Sequence, residues 1–477
     1  MAKDNNKGLR PETLAVAFGY DPEMGMGSVK PPIFMTSTFV YPTAQHAKNV
    51  HEAYFDGTGP LVGETNHIYS RLGHPGLDFL EKRLAAIDGA EEAVAYSSGM
   101  AAHSSIALAY VRPGDSVLHG RPIYGGVDML YNSIMPQFGS HVAAYTDGTD
   151  ENDVRKAADE AMAKGPLKLI IAETPANPTA AVVDLDLMVR IADEVGATQG
   201  HRPLVVVDNT LLGPFAQRPI EHGVDLCMTS LTKYCGGHSD LLAGGISGRK
   251  ELIDHLRMQR TTWGNHLDPY TSWLVLRSLE SVAVRTERAM ENARGVAEFL
   301  RDHPKVAAVT YLGFLEHGTR PRAVYDRQCK AAGSTFSFHL HGGEAEAFRM
   351  LDQLKLLKVA VSLGGSETLI CHSASTTHYA VPPAQRLAGG ITDGTIRLSV
   401  GLEHVDDLIG DLRQALEAVT FDNVLQTLRI VQASLGRLSQ AAGNPSPNRA
   451  AQRSLRIAVA GVNPHAGEGG LFGREEL

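Results

Sequence analysis

A single lysine stands within a run of hydroxyl-bearing residues and glycines, residues 230–240, and no acidic side chain lies directly beside it. A lysine amine attacks a carbonyl only when it is neutral, so a Schiff-base lysine needs surroundings that lower its pKa. Ser230 and Thr232, just before Lys233, can donate hydrogen bonds to a phosphate group. The segment therefore predicts covalent capture of a carbonyl compound; a surface lysine in a polar loop is the alternative.

An aspartate closes a short apolar run upstream, where residues 204–207 lead into Asp208. A carboxylate at the end of a strand is well placed to pair with a protonated pyridine nitrogen, which keeps such a ring electron-withdrawing. The alternative reading of Asp208 is a turn or helix-capping residue.

Three further segments offer groups that could bind a phosphorylated ring. Residues 97–102 are expected to link a strand to a helix, whose first backbone N–H groups bind phosphate. Tyr69 and Arg71 place a phenol and a guanidinium on one side of an extended segment. Tyr124 offers a flat face beside two glycines. Singly, each has a simpler reading: a tight turn, an exposed strand face and a core tyrosine at a turn.

The elements that would position these residues alternate between strands and helices. Apolar runs predict strands at 93–96, 116–119, 167–173 and 204–208, and helical periodicity predicts helices at 76–88, 101–111, 127–135 and 187–195. This alternation indicates a parallel sheet covered on both faces, with ligands beyond the carboxyl ends of its strands. A helical region at 270–303, a strand at 335–339 and helices at 344–356 and 406–419 predict a smaller α/β domain.

The chain has 477 residues, which suits two or three domains. Its 53 acidic and 44 basic side chains give a net charge of −9, which argues against nucleic acid or an anionic membrane as the main partner. No signal peptide or membrane span is expected, so we expect a cytoplasmic protein. The four cysteines are dispersed, which argues against a disulfide framework or a zinc ribbon.

Together these segments resemble the cystathionine γ-synthase/methionine γ-lyase family of fold-type I pyridoxal-phosphate enzymes. The resemblance runs from about residue 27 to about residue 419 and rests on motifs in the family's order, at residues 69–71, 97–100, 124–126, 173–178, 208–210, 230–240, 362–364 and 397–401. It implies an α/β fold with a large domain on a mostly parallel seven-stranded sheet and a smaller C-terminal α/β domain. The implied boundaries are an N-terminal arm at 1–65, a large domain at 66–269, a small domain at 270–419 and a tail at 420–477.

The resemblance also implies a role for each motif residue. Lys233 would hold pyridoxal 5'-phosphate covalently and shuttle protons, Asp208 would pair with the ring nitrogen, and Tyr124 would stack on the ring and act as acid or base. The other implied ligands are Gly99, Met100, Ser230 and Thr232 for the phosphate, Asn177 for the phenolic oxygen, and Ser362 and Arg397 for the substrate carboxylate. Tyr69 and Arg71 would reach the phosphate of a neighbouring subunit, which implies a homodimer or a homotetramer.

The implied reaction is γ-elimination or γ-replacement on a sulfur-containing or homoserine-type amino acid. A methionine or cystathionine γ-lyase is the preferred assignment, with cystathionine γ-synthase and O-acylhomoserine sulfhydrylase as alternatives. The sequence leaves the choice between elimination and replacement open. A relative that binds the cofactor without catalysis is a remote further alternative.

Three features depart from this pattern. Gly126 stands where methionine γ-lyases carry a cysteine, which argues against a strict methionine γ-lyase. Residues 57–66 form a longer and more glycine-rich segment than the family leads us to expect. Residues 421–477 resemble an internal stretch of 4-hydroxythreonine-4-phosphate dehydrogenase, whose motif histidine is His465 here. One histidine cannot build a metal site, so we expect this tail to lack that activity.

Overall fold

The computed structural model describes residues 8–56 and 67–419. The predictions for residues 57–66 and for the tail at 420–477 therefore lie outside the described residues. The described residues up to Leu416 belong to one compact unit, which holds the elements below except for the last residue of α15.

In the described ranges the strands are β1 (Glu92–Tyr96), β2 (Ser116–Gly120), β3 (His141–Tyr145), β4 (Leu167–Glu173), β5 (Leu204–Asp208), β6 (Leu226–Thr229), β7 (Gly244–Gly248), β8 (Val306–Thr310), β9 (Thr335–Leu340), β10 (Lys358–Val359), β11 (Leu369–His372) and β12 (Thr395–Ser399). The α-helices are α1 (Pro11–Ala17), α2 (Ala44–Phe55), α3 (Pro75–Asp88), α4 (Gly99–Tyr110), α5 (Gly125–Met129), α6 (Glu151–Lys164), α7 (Leu185–Gln199), α8 (Gly213–Ala216), α9 (Lys250–Trp263), α10 (Pro269–Leu279), α11 (Val282–Arg301), α12 (Arg320–Gln328), α13 (Glu344–Leu351), α14 (Pro383–Ala388) and α15 (Val405–Glu417).

The first seven strands form one sheet in the order β1-β7-β6-β5-β4-β2-β3. Strands β2 to β6 run parallel to their neighbours within that group, whereas β7 is antiparallel to both β1 and β6. The other five strands form a second, mostly antiparallel sheet in the order β10-β11-β12-β9-β8. The expected fold class, a mostly parallel seven-stranded sheet with a smaller C-terminal α/β part, is confirmed.

The large sheet is buried on both faces, which explains its apolar strands. Leu169 and Ile171 of β4 pack into one core with residues of α4 and α9, whereas Ile170 and Ala172 pack into another with residues of α6 and α7. Successive strand side chains point to opposite faces, so a strand covered on both sides needs apolar residues at every position. Each fully buried Leu or Ile contributes about 2 kcal/mol of transfer free energy.

Two predicted helical segments are divided in the structure. The predicted helix at 127–135 is α5, followed by a π-turn at Leu130–Ile134 and a 3₁₀ turn at Met135–Phe138. Pro136 explains the break, because its ring has no N–H and collides with the carbonyl four residues earlier in a regular helix. The helical region at 270–303 is α10 and α11, and the Arg285 guanidinium of α11 donates to the Ser278 carbonyl near the end of α10 (2.9 Å).

The fold brings polar residues to one edge of the large sheet. Glu173 and Asp208 are the last residues of the adjacent parallel strands β4 and β5 and pair with each other in register. The loop with Lys233 follows β6, the next strand along. Because parallel strands end at the same edge, these residues lie where ligands of parallel sheets commonly bind. In the described ranges, no helix combines the length and the apolar character needed to cross a bilayer.

Candidate active site

Lys233 lies in a half-buried position next to a loop from the C-terminal part of the chain. Its ammonium Nζ donates a hydrogen bond to the Ser362 hydroxyl (2.8 Å). Burial, and secondarily the positive charge of Arg397, lower the pKa of Lys233 from 10.5 to about 8. The half-buried position and the lowered pKa are those that a Schiff-base lysine needs, and the assignment of Lys233 stays a prediction.

Arg397 on β12 completes this cluster. Its guanidinium donates from Nη2 to the Ser362 carbonyl (2.6 Å) and from Nη1 to the Asn177 side-chain oxygen (3.1 Å). Among the described residues, the buried Nε of Arg397 has no hydrogen-bond partner. A buried guanidinium that keeps an unused donor is suited to bind an anion such as a substrate carboxylate.

Asp208 is buried, and both of its carboxylate oxygens are engaged. One oxygen accepts from the backbone N–H of Thr210 (2.9 Å), which is the turn geometry that the alternative reading expected. The other lies 3.1 Å from Nε2 of His103, on the second turn of α4. The sequence did not single out His103, because the helix around it is made of small and apolar residues.

Glu173 positions two of the expected site residues. Its carboxylate accepts from the backbone N–H of Tyr124 (2.8 Å) and from that of Asn177 (2.6 Å). Burial, followed by the negative charge of Asp208, raises the pKa of Glu173 to about 8. In the sequence, Glu173 stands at the end of a predicted strand and within a motif, but no pattern there points to this role.

The turn between β1 and α4 has the geometry of an anion cradle. The Ser98 hydroxyl accepts from the Ala101 N–H (3.0 Å), and the N–H groups of Gly99 and Met100, in the first turn, have no intrahelical partner. A Cβ on Gly99 would lie 3.1 Å from the Cβ and the hydroxyl of Ser230, so a larger residue here would crowd Ser230. The cradle and Ser230 are thus adjacent, as a shared phosphate site requires.

Thr232, another expected phosphate ligand, is already engaged in the loop that carries Lys233. Its hydroxyl donates to the Ala243 carbonyl (3.1 Å) and accepts from the Ala243 N–H (2.9 Å). Its role as a phosphate ligand stays a prediction. To donate a hydrogen bond to phosphate, the Thr232 hydroxyl would have to give up its hydrogen bond to the Ala243 carbonyl.

Tyr124 is partly exposed and stands at the N-terminus of α5. Gly126 leaves room for its ring, since a Cβ at this position would lie 2.7 Å from the Tyr124 ring and 3.1 Å from the Met100 sulfur. The observed orientation of Tyr124 therefore requires the glycine that departs from the methionine γ-lyase pattern. The side chain of Met100 also lies against this corner of the site.

Tyr69 and Arg71 lie in a separate groove of about 520 Å³. The Arg71 guanidinium lies 5.8 Å from the centre of the Tyr69 ring and donates to the Thr261 carbonyl. The groove shares no lining residue with the cluster of Lys233, Ser362 and Arg397. The structure thus does not join these two residues to the site of their own chain, and their reach to a neighbouring subunit stays a prediction.

One more histidine, His378, belongs to the same neighbourhood. Burial and the charge of Arg397 lower its pKa to about 4, so it is neutral near pH 7. Its Nδ1 lies 2.9 Å from the Thr377 hydroxyl. No local pattern points to His378, because it stands in an irregular segment rich in serine and threonine.

The residues present fit the expected cofactor. The half-buried amine of lowered pKa suits an aldehyde, and the carboxylate at a strand end suits a pyridine nitrogen. The anion cradle suits a phosphate, and the guanidinium with a free donor suits a substrate carboxylate. In the described ranges, no group of three histidine, cysteine or acidic side chains is arranged to hold a metal ion.

Known proteins resemble the chain over nearly all of its described length. L-methionine gamma-lyase of Pseudomonas deceptionensis is 37% identical over 421 residues, which cover 87% of this chain and 99% of that protein. Cystathionine beta-lyase MetC of Bacillus subtilis is 36% identical over 410 residues, with coverages of 86% and 96%. Among solved structures, cystathionine gamma synthase from Xanthomonas oryzae pv. oryzae in complex with aminoacrylate and cysteine matches with a TM-score of 0.77 and 33% identity, covering 86% of this chain and 98% of that one.

Two family descriptions match parts of the chain. The second, "Pyridoxal phosphate biosynthetic protein PdxA", matches residues 408–477. This range includes the tail whose sequence resembles 4-hydroxythreonine-4-phosphate dehydrogenase. The first, "Cys/Met metabolism PLP-dependent enzyme", matches residues 12–417 and therefore most of the chain. The order of the motifs, the fold and these relatives agree: the chain belongs to the Cys/Met metabolism family of enzymes that use pyridoxal 5'-phosphate.

Proposed function

We propose that this enzyme catalyses γ-elimination on L-methionine or a related sulfur amino acid, which takes up water and releases a thiol, 2-oxobutanoate and ammonia. The observation that carries the proposal is the linked cluster in which Ser362 accepts from the Lys233 amine and its carbonyl accepts from Arg397. This cluster can hold an α-carboxylate beside the group that moves the α-proton. Relatives named L-methionine gamma-lyase support elimination.

γ-Replacement on an activated homoserine is the second candidate. The similarity to cystathionine gamma synthase structures supports it, and so does Gly126, where the methionine γ-lyase pattern has a cysteine. Pocket shape and water exclusion decide between the two outcomes, because both begin with the same proton removals.

The chain's own residues perform the following steps. Arg397 and Ser362 bind and orient the substrate carboxylate, and Asn177 fixes the guanidinium from the other side. When bound, pyridoxal 5'-phosphate supplies an aldehyde that captures amines and a ring that withdraws electrons from the substrate Cα. Lys233 holds the cofactor and then accepts the Cα proton, a task that suits an amine with a pKa of about 8.

The carboxylate of Asp208 keeps the ring nitrogen protonated, and the partly exposed phenol of Tyr124 transfers a proton at the departing γ-group. Gly99, Met100, Ser230 and Thr232 bind the phosphate. These roles follow from the family motifs and are supported by the placement of the residues at one edge of the sheet.

We also propose the wider organisation implied by the family. Tyr69 and Arg71 complete the phosphate site of a partner subunit, so the active form is a cytoplasmic homodimer or homotetramer. Their position in an exposed groove supports this assignment. The domain boundaries near residues 65, 269 and 419 stay proposals; the two sheets, at 92–248 and 306–399, fall within the proposed large and small domains.

A substrate panel tests the reaction. The purified holoenzyme is given methionine, cystathionine and homocysteine without added thiol, and O-acylhomoserine with and without thiol. Release of 2-oxobutanoate and thiol from methionine supports the lyase, whereas thioether formation from O-acylhomoserine with little 2-oxobutanoate supports replacement. Pyruvate from cystathionine would overturn both, because it reports cleavage at Cβ. Lys233→Ala is the matched control and should abolish every one of these activities.

A further inference from the structure

Among the described residues, His103 is the one ionisable side chain that contacts the Asp208 carboxylate. No other side-chain hydrogen bond of His103 is seen in this part of the chain. It stands on α4, the same helix whose first turn forms the anion cradle. Its Nε2 lies 3.1 Å from Asp208 Oδ2, and both side chains are buried, with exposures of 1% for His103 and 7% for Asp208. One short helix thus contacts both the expected phosphate site and the partner of the ring nitrogen.

The contacts define which ring nitrogen carries the proton. An ionised carboxylate only accepts hydrogen bonds, so Nε2 of His103 must be the donor. Among the described residues, the buried Nδ1 has no partner, and an N–H there would be a buried donor left unpaired. The neutral tautomer with its proton on Nε2 satisfies both conditions.

We propose that His103 is a positioning residue that holds the Asp208 carboxylate correctly turned toward the ring nitrogen of the cofactor. Thr210 N–H fixes one carboxylate oxygen and His103 fixes the other, so the plane of the carboxylate is set by two donors on different elements. A carboxylate has about four lone-pair sites, so an Asp208 held by two donors keeps lone pairs that can accept from a protonated ring nitrogen. This inference rests on the pairing of Asp208 with that nitrogen.

Two substitutions of similar size separate this role from simple packing. His103→Gln keeps a side-chain N–H donor at about the same reach, whereas His103→Met fills the space without a donor. We expect His103→Met to move the ¹⁵N resonance of ¹⁵N-labelled pyridoxal phosphate toward that of an unprotonated pyridine. The same variant should weaken binding of the cofactor to the cofactor-free enzyme by about ten- to a hundredfold, the range for a hydrogen bond to a charged group. His103→Gln should stay close to the wild type in both measurements.

The result that overturns the inference is a ¹⁵N resonance in His103→Met equal to that of the wild type, or equal changes in the Met and Gln variants. Asp208→Asn separates this failure from a failure of the underlying pairing. If Asp208→Asn also leaves the resonance unchanged, the proposed partner of the ring nitrogen is wrong; if it moves the resonance and His103→Met does not, only the role of His103 is wrong.

A measurement on the unaltered enzyme covers the case in which His103→Met does not fold. Solid-state NMR of the histidine-labelled holoenzyme reports the tautomer of His103, assigned by its loss in His103→Gln. A protonated Nε2 with a bare Nδ1 supports the inference, and the opposite tautomer overturns it.

Discussion

The lowered pKa of Lys233 has a cause that can be altered at a single position, Arg397. The pKa falls from 10.5 to about 8, a difference of about 2.5 pH units, with burial as the larger cause and the Arg397 charge as the smaller one. The charge therefore accounts for less than half of the difference, or at most about 1 pH unit. Arg397→Met removes it, and because a nearby cation disfavours the ammonium form, its loss should raise the pKa of Lys233.

The consequence is a loss of neutral amine near neutral pH. At pH 7 the neutral fraction of Lys233 should fall below its starting value of roughly a tenth, by at most about tenfold, since one pH unit is a factor of ten. Competitive acetylation of the cofactor-free enzyme, followed by mass spectrometry of the peptide that contains Lys233, measures this fraction across a pH series. The midpoint of the labelling curve gives the pKa directly and does not depend on turnover.

Arg397→Lys is the matched control, because it keeps the positive charge and loses only the planar fork. Its labelling midpoint should stay near that of the wild type. The reasoning about charge is refuted if the Met and Lys variants titrate at the same pH, and the reasoning about burial is refuted if the wild-type midpoint lies near 10.5.

Two further changes test the structure away from the amine. Burial raises the pKa of Asp88 from 3.8 to about 6, so folding favours its protonated form, and stability should fall by about 3 kcal/mol as the pH rises from about 4 to above 6. Asp88→Asn should abolish this decline, measured as the pH dependence of the difference in Tm between the two cofactor-free proteins; parallel curves would contradict it. Ser98→Ala removes the cap that accepts from Ala101, which should cost about 1 kcal/mol of stability and weaken phosphate binding; unchanged Tm and unchanged titration by inorganic phosphate would show that the cap is dispensable.

The sequence was sufficient for the fold class and for the residues at strand ends. Lys233, Asp208 and Arg397 stand in local patterns that can be read directly, because each pattern is a short run of neighbouring residues. The alternation of strands and helices places the strand that ends at Asp208 and the strand before Lys233 in one sheet, and the structure confirms that sheet, whereas Arg397 lies on β12 of the second sheet.

His103 and Glu173, which the sequence did not reveal as site residues, make contacts of another kind. His103 meets Asp208 across 105 positions of sequence, and its own helix shows only small and apolar neighbours. The Glu173 carboxylate accepts from backbone N–H groups, which nearly every residue type has. Contacts of these two kinds depend on how distant segments fold together, so no local pattern can predict them. The broken helix at Pro136 was in principle visible, since proline excludes a regular helix at that position.

The residue that follows the lysine is held on three sides. The Tyr234 phenol contacts the Ser334 and Thr335 hydroxyls (2.9 and 2.8 Å), and the Tyr234 carbonyl accepts from Arg285 (3.0 Å). The backbone of Gly364 passes so close that a Cβ there would lie 2.7 Å from the Tyr234 nitrogen. These contacts hold the main chain next to Lys233 in place. In the proposed reaction we therefore expect the four methylene groups of the Lys233 side chain, rather than a movement of the loop, to set which atoms its amine can reach.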